Sequence, residues 1–383
     1  MKLGHVVEII LMLSLCMVTG CQPSVTKLAG EKLKAIDEIV AGEIGQGSFP
    51  GAVVLVGRGQ KTLYRRAFGS QMITPREEAM SEDTVFDIAS LTKPVATAAS
   101  IMILRDRGKI RLNDYVRQYL PAFGCEGKEE ARIEHLLTHT SGLPAYTSAS
   151  ELKEQFGSPC PDKVIEKICG LKAMSEPGQE FQYSCLGYIT LAKIVEIVSG
   201  KRIDQFTEEN IFAPLKMNRT IYNPPESWNN NVAATEVVNG NPLRGMVHDP
   251  LAQLMDGVSG NAGVFSTADD LAVFCRMLLS NGTYKGKRIL SPKSIHLLTA
   301  AVSHGRACGF DVQSSYSWIK GANAPKTAFC HSGYTGTSIV CDPEGKIYVI
   351  ILTNRAHPED KGTVKSLRTK VADVAFEILK ESR

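Results

Sequence analysis

The sequence predicts an α+β fold: an antiparallel sheet assembled from strands near both ends of the chain, flanked by helices, with a mostly helical unit inserted between them. Gly51 to Val56 and Thr62 to Phe68 read as two strands joined by a Gly/Arg/Gln turn. Near the other end, Gly336 to Cys341 and Lys346 to Thr353 flank Asp342-Pro343-Glu344-Gly345, a hairpin signal, and a closing helix follows over about residues 361–379. From about residue 90 to 270 the chain is mostly helical pieces separated by Gly- and Pro-rich loops. Because strands and helices do not alternate, a parallel doubly wound sheet is disfavoured.

Composition bounds the rest. At 383 residues and 43% hydrophobic content, the chain buries a large core in one big or two intimately joined domains. A net charge of +3 with both signs interspersed gives no nucleic-acid surface and no polybasic membrane patch. The first 21 residues differ in kind: Lys2 supplies a positive start, Val6 to Val18 is an apolar run broken by Glu8, and Val18-Thr19-Gly20-Cys21 closes it. This segment resembles a bacterial lipoprotein signal, which implies export, cleavage before Cys21 and a lipid on Cys21 that holds the protein at the membrane of the cell envelope. Residues 22–26 read as a tether. The folded domain is expected over 27–383, its α/β part over about 27–89 and 271–383 and its helical part over about 90–270.

An amphipathic helix is expected over Lys27 to Ile44, before the first strand pair. Eight cysteines lie between Cys125 and Cys341; they show no disulfide framework and no C-x-x-C pair, so most read as small buried hydrophobes, with a Cys160–Cys169 pairing left open.

The chemistry begins at Ser90-Leu91-Thr92-Lys93. A serine and a lysine three apart on a helical turn are neighbours, so the amine can take the proton that the serine loses on attacking a carbonyl. Three other S-x-x-K tetrads begin at Ser24, Ser150 and Ser317, in the tether or in polar stretches. Only Ser90 stands between a strand-like entry, Thr84 to Ala89, and an apolar helix, Pro94 to Leu104, that Gly108 ends. Ser90 is therefore the candidate nucleophile. A zinc protease is disfavoured: His135 and His139 are four apart without the glutamate of H-E-x-x-H. No G-x-S-x-G elbow is present either.

Two later segments fall in order behind Ser90. Phe181-Gln182-Tyr183-Ser184-Cys185 precedes an apolar helix over Leu186 to Val198 that ends at Gly200, and His331-Ser332-Gly333-Tyr334 leads into the late hairpin. With Leu136 to Leu143, Gly257 to Gly263 and Ser266 to Leu271, this ordered set resembles the penicillin-recognising serine hydrolases, which group class C β-lactamases, DD-carboxypeptidases and related esterases. The resemblance covers nearly everything from Lys27 onward. It implies a β-lactamase-like fold, Ser90 as the acylated nucleophile, Lys93 as base or proton shuttle and Tyr183 as the group that relays the leaving-group proton, with no metal or organic cofactor. It also implies an oxyanion hole made by the amides of Ser90 and Tyr334, and a substrate wall that includes Cys185, His331, Ser332 and Gly333. Lysine and tyrosine ordinarily hold their protons at neutral pH, with pKa values of about 10.4 and 10, so burial is expected to lower Lys93 and its charge to lower Tyr183.

The chain departs from that family's pattern twice. Cys185 stands where an asparagine usually holds the lysine and the substrate's acylamino group, and a thiol is a weak donor and acceptor. His331 stands where β-lactamases often carry lysine, so attraction for a substrate carboxylate should be weaker and pH-dependent. Both departures argue against an efficient β-lactamase. The expected activity is carboxypeptidase-like or esterase-like, on D-amino acid peptides, including those of peptidoglycan, or on small esters. A β-lactamase and a catalytically weak, peptide-binding envelope protein are the alternatives.

Overall fold

A computed structural model describes residues 32–381; the leader, Cys21 and the tether lie outside the described residues. The first helix among the described residues, α1 (Ala35–Gly45), covers the later part of the amphipathic stretch, whose earliest residues lie outside the described ones. Its buried face, Ile36, Val40 and Glu43, follows the i, i+4, i+7 spacing of one helical stripe.

The main sheet has six antiparallel strands. β1 (Gly51–Arg58) and β2 (Lys61–Met72) form the early hairpin, and β3 (Glu78–Ala79) edges it. Two late strands, β8 (Ser338–Asp342) and β9 (Ile347–Thr353), form the second hairpin, and β9 pairs with β1 in a register that sets Val54 opposite Ile351. A further strand, β7 (Phe329–Ser332), is not anticipated by the sequence pattern; it pairs with β8 and completes the order β7-β8-β9-β1-β2-β3. Both termini thus build one sheet, as expected.

β1 is buried on both faces, and alternation sorts its side chains between two cores. Val53 and Leu55 face the larger core under the helical unit, while Ala52, Val54 and Val56 face a second core under α1 and the closing helix α5 (Lys365–Glu381). Each fully buried Val or Leu contributes about 1.5–3 kcal/mol, so a one-residue slip of β1 would forfeit both cores.

The helical unit is not purely helical. A small sheet sets β6 (Val264–Ser266) between β4 (Phe86–Asp87) and β5 (Ile221–Tyr222). Strands this short carry no periodicity to detect. They matter because β4 is the entry to Ser90 and β6 follows the glycine-rich turn at residues 257–263. Beyond Ser90 the chain enters α2 (Ala99–Asp106); α3 (Cys185–Ser199) carries the second motif at its start and ends at Gly200, whose φ of +71° favours a residue without Cβ. Helix α4 (Ala268–Leu279) packs on β1 and β9.

Candidate active site

Ser90 sits at a sharp corner between β4 and helix. Ala89 is held at φ +45°, a costly setting for a residue with a Cβ, and its amide donates to Asp87 Oδ1 at 2.8 Å. Asp87 is buried, and its Oδ2 accepts the His248 amide at 2.7 Å. The chain then makes a 3₁₀ turn (Ala89–Leu91) and a π-helical turn (Lys93–Ala98) before α2. This winding sets Lys93 Nζ 3.0 Å from Ser90 Oγ. Neither of the other two described tetrads does so. Ser150 is an exposed helical residue, and Lys320, three beyond Ser317, donates instead to the carbonyls of Val312 and Ala328.

Lys93 is fully buried and donates also to the Asn261 carbonyl at 3.0 Å and to Cys185 Sγ at 3.4 Å. The glycine-rich turn therefore has a role that its composition did not reveal: Asn261 aims the lysine. Tyr183 brings its ring to 5.1 Å from Nζ. Its loop is tied down by the segment after Leu137: the Ser184 amide donates to His139 Nδ1 at 3.0 Å, Ser184 Oγ donates to the Pro144 carbonyl at 2.6 Å, and the Cys185 amide donates to the Ala145 carbonyl at 2.9 Å. The His139 ring stacks on Tyr183 with centroids 4.4 Å apart. His139 is thus a support for the second motif rather than half of a metal pair.

The third motif approaches the corner from the opposite side. A Cβ on Gly333 would lie 2.1 Å from Thr337 Oγ1 and 2.5 Å from the Ile88 carbonyl, so only glycine lets this strand end come so close to the corner before Ser90. Thr335 Oγ1 and Thr337 Oγ1 donate to the carbonyls of Asp87 and Ile88 at 2.8 and 3.0 Å. The amides of Ser90 and Tyr334 donate to no protein group among the described residues, and both residues line one cleft of about 400 Å³ with Tyr183, His331, Ser332 and Gly333. Two free amides beside a serine hydroxyl are the arrangement that an oxyanion hole requires.

Electrostatics revise the expected protonation states. Burial acts to lower Lys93, but the charges that Cys185 and Tyr183 acquire on ionising act to raise it and prevail, so Lys93 is raised. Burial pushes Tyr183 and Cys185 up, against the pull of the Lys93 ammonium. The resting site is an ammonium beside a phenol and a thiol, contrary to the expectation of a lowered lysine and tyrosine. His331 is also corrected: burial, then the charges of Arg306 and Lys93, hold it well below the usual histidine range, so it is a neutral wall rather than a pH-dependent cation. Its Nδ1 lies 3.0 Å from the Ser332 carbonyl.

Positive charge comes from residues that the motifs do not contain. Arg306 is fully buried, pairs with Asp311, and lies 5.9 Å from the Tyr183 ring. Arg368, on the second turn of α5, lines the cleft; its Nη2 donates to the carbonyls of Gly333 and Thr337 at 2.9 and 2.8 Å, and its buried Nε has no partner. No carboxylate of the protein pairs with Arg368 among the described residues, and burial followed by the Arg355 charge brings it down to about 10. Arg355, just beyond the end of β9, is occupied: it donates to the Tyr334 carbonyl at 2.6 Å and pairs with Asp360 at 2.7 Å.

The beta-lactamase family model matches residues 35–373. The N-acetylmuramyl-L-alanine amidase of Bacillus subtilis (strain 168) is 33% identical over 361 residues, covering 85% of this chain and 82% of that protein. A putative D-alanyl-D-alanine carboxypeptidase of Escherichia coli (strain K12) is 27% identical over 372 residues, with 85% and 83% covered. Among solved structures, EstCE1, a hydrolase with promiscuous acyltransferase activity, superposes with a TM-score of 0.75 at 23% identity over 91% of this chain and all of that one. A family VIII carboxylesterase does so with a TM-score of 0.70 at 21% identity, covering 91% and 97%. With the family model spanning nearly the whole chain and the same fold in these structures, the chain belongs to the beta-lactamase family of serine hydrolases.

Proposed function

We propose that the protein hydrolyses an amide or ester bond in carboxylate-bearing peptide fragments of the cell wall, through an acyl-Ser90 intermediate. The observation that carries this reading is Arg368, a buried cation with no acidic partner, in the same cleft as Ser90 and Tyr183. Leaving such a charge uncompensated is costly unless a ligand anion completes it. The names of the relatives, an amidase and carboxypeptidases, agree with a wall-peptide substrate.

In this reading Ser90 Oγ attacks the scissile carbonyl and loses its proton to Lys93 or Tyr183, whichever is deprotonated. The oxygen of the tetrahedral intermediate rests on the Ser90 and Tyr334 amides. Tyr183 returns a proton to the departing amine or alcohol, leaving an ester on Ser90. Water then attacks that ester, which releases the acid and restores the serine. The neutral thiol of Cys185 in place of an asparagine amide disfavours the β-lactamase alternative.

The test compares a muramyl dipeptide and an acyl-D-alanyl-D-alanine peptide, each as the free acid and as its carboxamide. Turnover should vanish in Ser90→Ala, and the acid should be preferred at least tenfold, a preference that Arg368→Met erases. Turnover that survives Ser90→Ala, or equal use of acid and carboxamide by the native protein, would reject the reading.

A further inference from the structure

The cleft that holds Ser90 is also lined by two exposed aromatic residues that the acyl-transfer groups do not use. Tyr316 and Trp318 line it, each 42% exposed. Tyr316 stacks on Tyr183 at 5.3 Å and meets Phe181 edge-on at 6.0 Å, so an aromatic row runs outward from the catalytic tyrosine. Trp318 is in no aromatic pair and under no cation among the described residues, and it stays partly open to solvent. The segment is nonetheless fixed. Trp318 lies in a 3₁₀ turn (Ser317–Lys320) between Ser317 and Ile319, both buried, and Lys320 is clamped on the carbonyls of Val312 and Ala328.

Exposed large rings held rigid beside a reacting centre mark a place for a ligand. The surroundings decide which one. Asp311 lines the same cleft, with Oδ1 bound to Arg306 and Ser314 and Oδ2 without a partner among the described residues; Ser332, Thr363 and Lys365 add further polar groups. An acyl chain on these rings would leave such groups unpaired. A pyranose sets one face of C–H bonds on a ring and turns its hydroxyls outward to donors and acceptors. We infer that Trp318 and Tyr316 form a subsite for a sugar ring of the substrate, beside the carboxylate that Arg368 receives, since the turn that carries Trp318 packs on α5. This deepens the proposed function, naming an amino-sugar peptide rather than a bare peptide as the substrate class, and it rests on that reading for the placement of the scissile bond.

Two measurements on the whole protein test it. Saturation-transfer NMR with methyl N-acetyl-glucosaminide, a neutral sugar that makes no demand on Arg368 or Ser90, should show transfer to the ring protons in the native protein and at least a fivefold loss of it in Trp318→Ala. The kinetic arm compares an N-acetylmuramyl dipeptide with the same dipeptide carrying a 2-methoxypropanoyl group, which keeps the acyl carbonyl and lacks the sugar. The ratio of their kcat/KM values should fall at least tenfold in Trp318→Ala and stay near native in Trp318→Tyr, which keeps a ring. An unchanged ratio, or transfer to hexanoate and none to the sugar, would overturn the subsite and make the rings an apolar acyl shelf. Sugar transfer that is native and lost in Trp318→Ala, with no Ser90-dependent turnover of either dipeptide, would fail the proposed reaction alone and leave the sugar subsite standing.

Discussion

At the scale of single residues, the protonation of Lys93 and Tyr183 sets how the rate must depend on pH. Both are raised from ordinary values of 10.5 and 10.0, so at neutral pH only a small fraction of molecules carries either group deprotonated and able to accept the Ser90 proton. That fraction grows about tenfold per pH unit below the pKa, and kcat/KM for a non-ionising ester reports the free enzyme. The expected profile therefore climbs from pH 6 through pH 9 without a plateau. His331 adds no inflection near neutrality, because it stays uncharged there. Measured with a small ester, and with the Ser90→Ala background subtracted, a plateau already reached near pH 7 would show that one of the two bases is lowered instead. The grouping of Ser90, Lys93 and Tyr183 in one place was legible because motif order needs no geometry. Arg306, Arg368 and the stacking role of His139 were not, because each acts on a group far away in the chain and only the fold brings them together.

At the scale of elements, the site is a joint between β7 and the corner at Ser90. It closes only because Gly333 has no side chain. Gly333→Ala would push a methyl group against Thr337 Oγ1 and the backbone carbonyl of Ile88, and the carbonyl cannot rotate away as a side chain would. The strand end must retreat, taking the Tyr334 amide from the developing oxyanion. Losing one such donor costs roughly 100- to 1,000-fold in kcat, so a fall of that size with a smaller change in KM is expected from steady-state kinetics. Calorimetry should show a modestly lowered Tm. Activity retained within threefold would mean that Tyr334 is not an oxyanion donor. The two long hairpins were legible from their alternation and turns. Strand β7 was not, since Phe329 to Ser332 runs into the third motif without a pattern of its own, and the two- and three-residue strands of the small sheet have no period at all.

At the scale of the molecule, the remaining matter is where the enzyme works, and here the proposal rests on residues 1–21 alone. Among the described residues no helix is long and apolar enough to cross a membrane. The net charge is only +3 over the whole chain, which gives little electrostatic hold on an anionic surface. Membrane attachment in this reading thus depends on one group, the thiol of Cys21 at the end of Val18-Thr19-Gly20-Cys21. A single acyl chain holds a protein only marginally, whereas two or more hold it stably, so a multiply acylated cysteine predicts nearly complete recovery with membranes. Cys21→Ala removes the acceptor while leaving the apolar run of the leader unchanged. Fractionation of cells that express each form should find the native protein in the membrane pellet and the variant in the soluble exported fraction, with equal ester hydrolysis per molecule because Cys21 lies outside the catalytic domain. A variant that still pellets, and is released by detergent but not by salt, would show that the uncleaved leader is itself the anchor. A variant that stays in the cytoplasm would show that export depends on the cysteine.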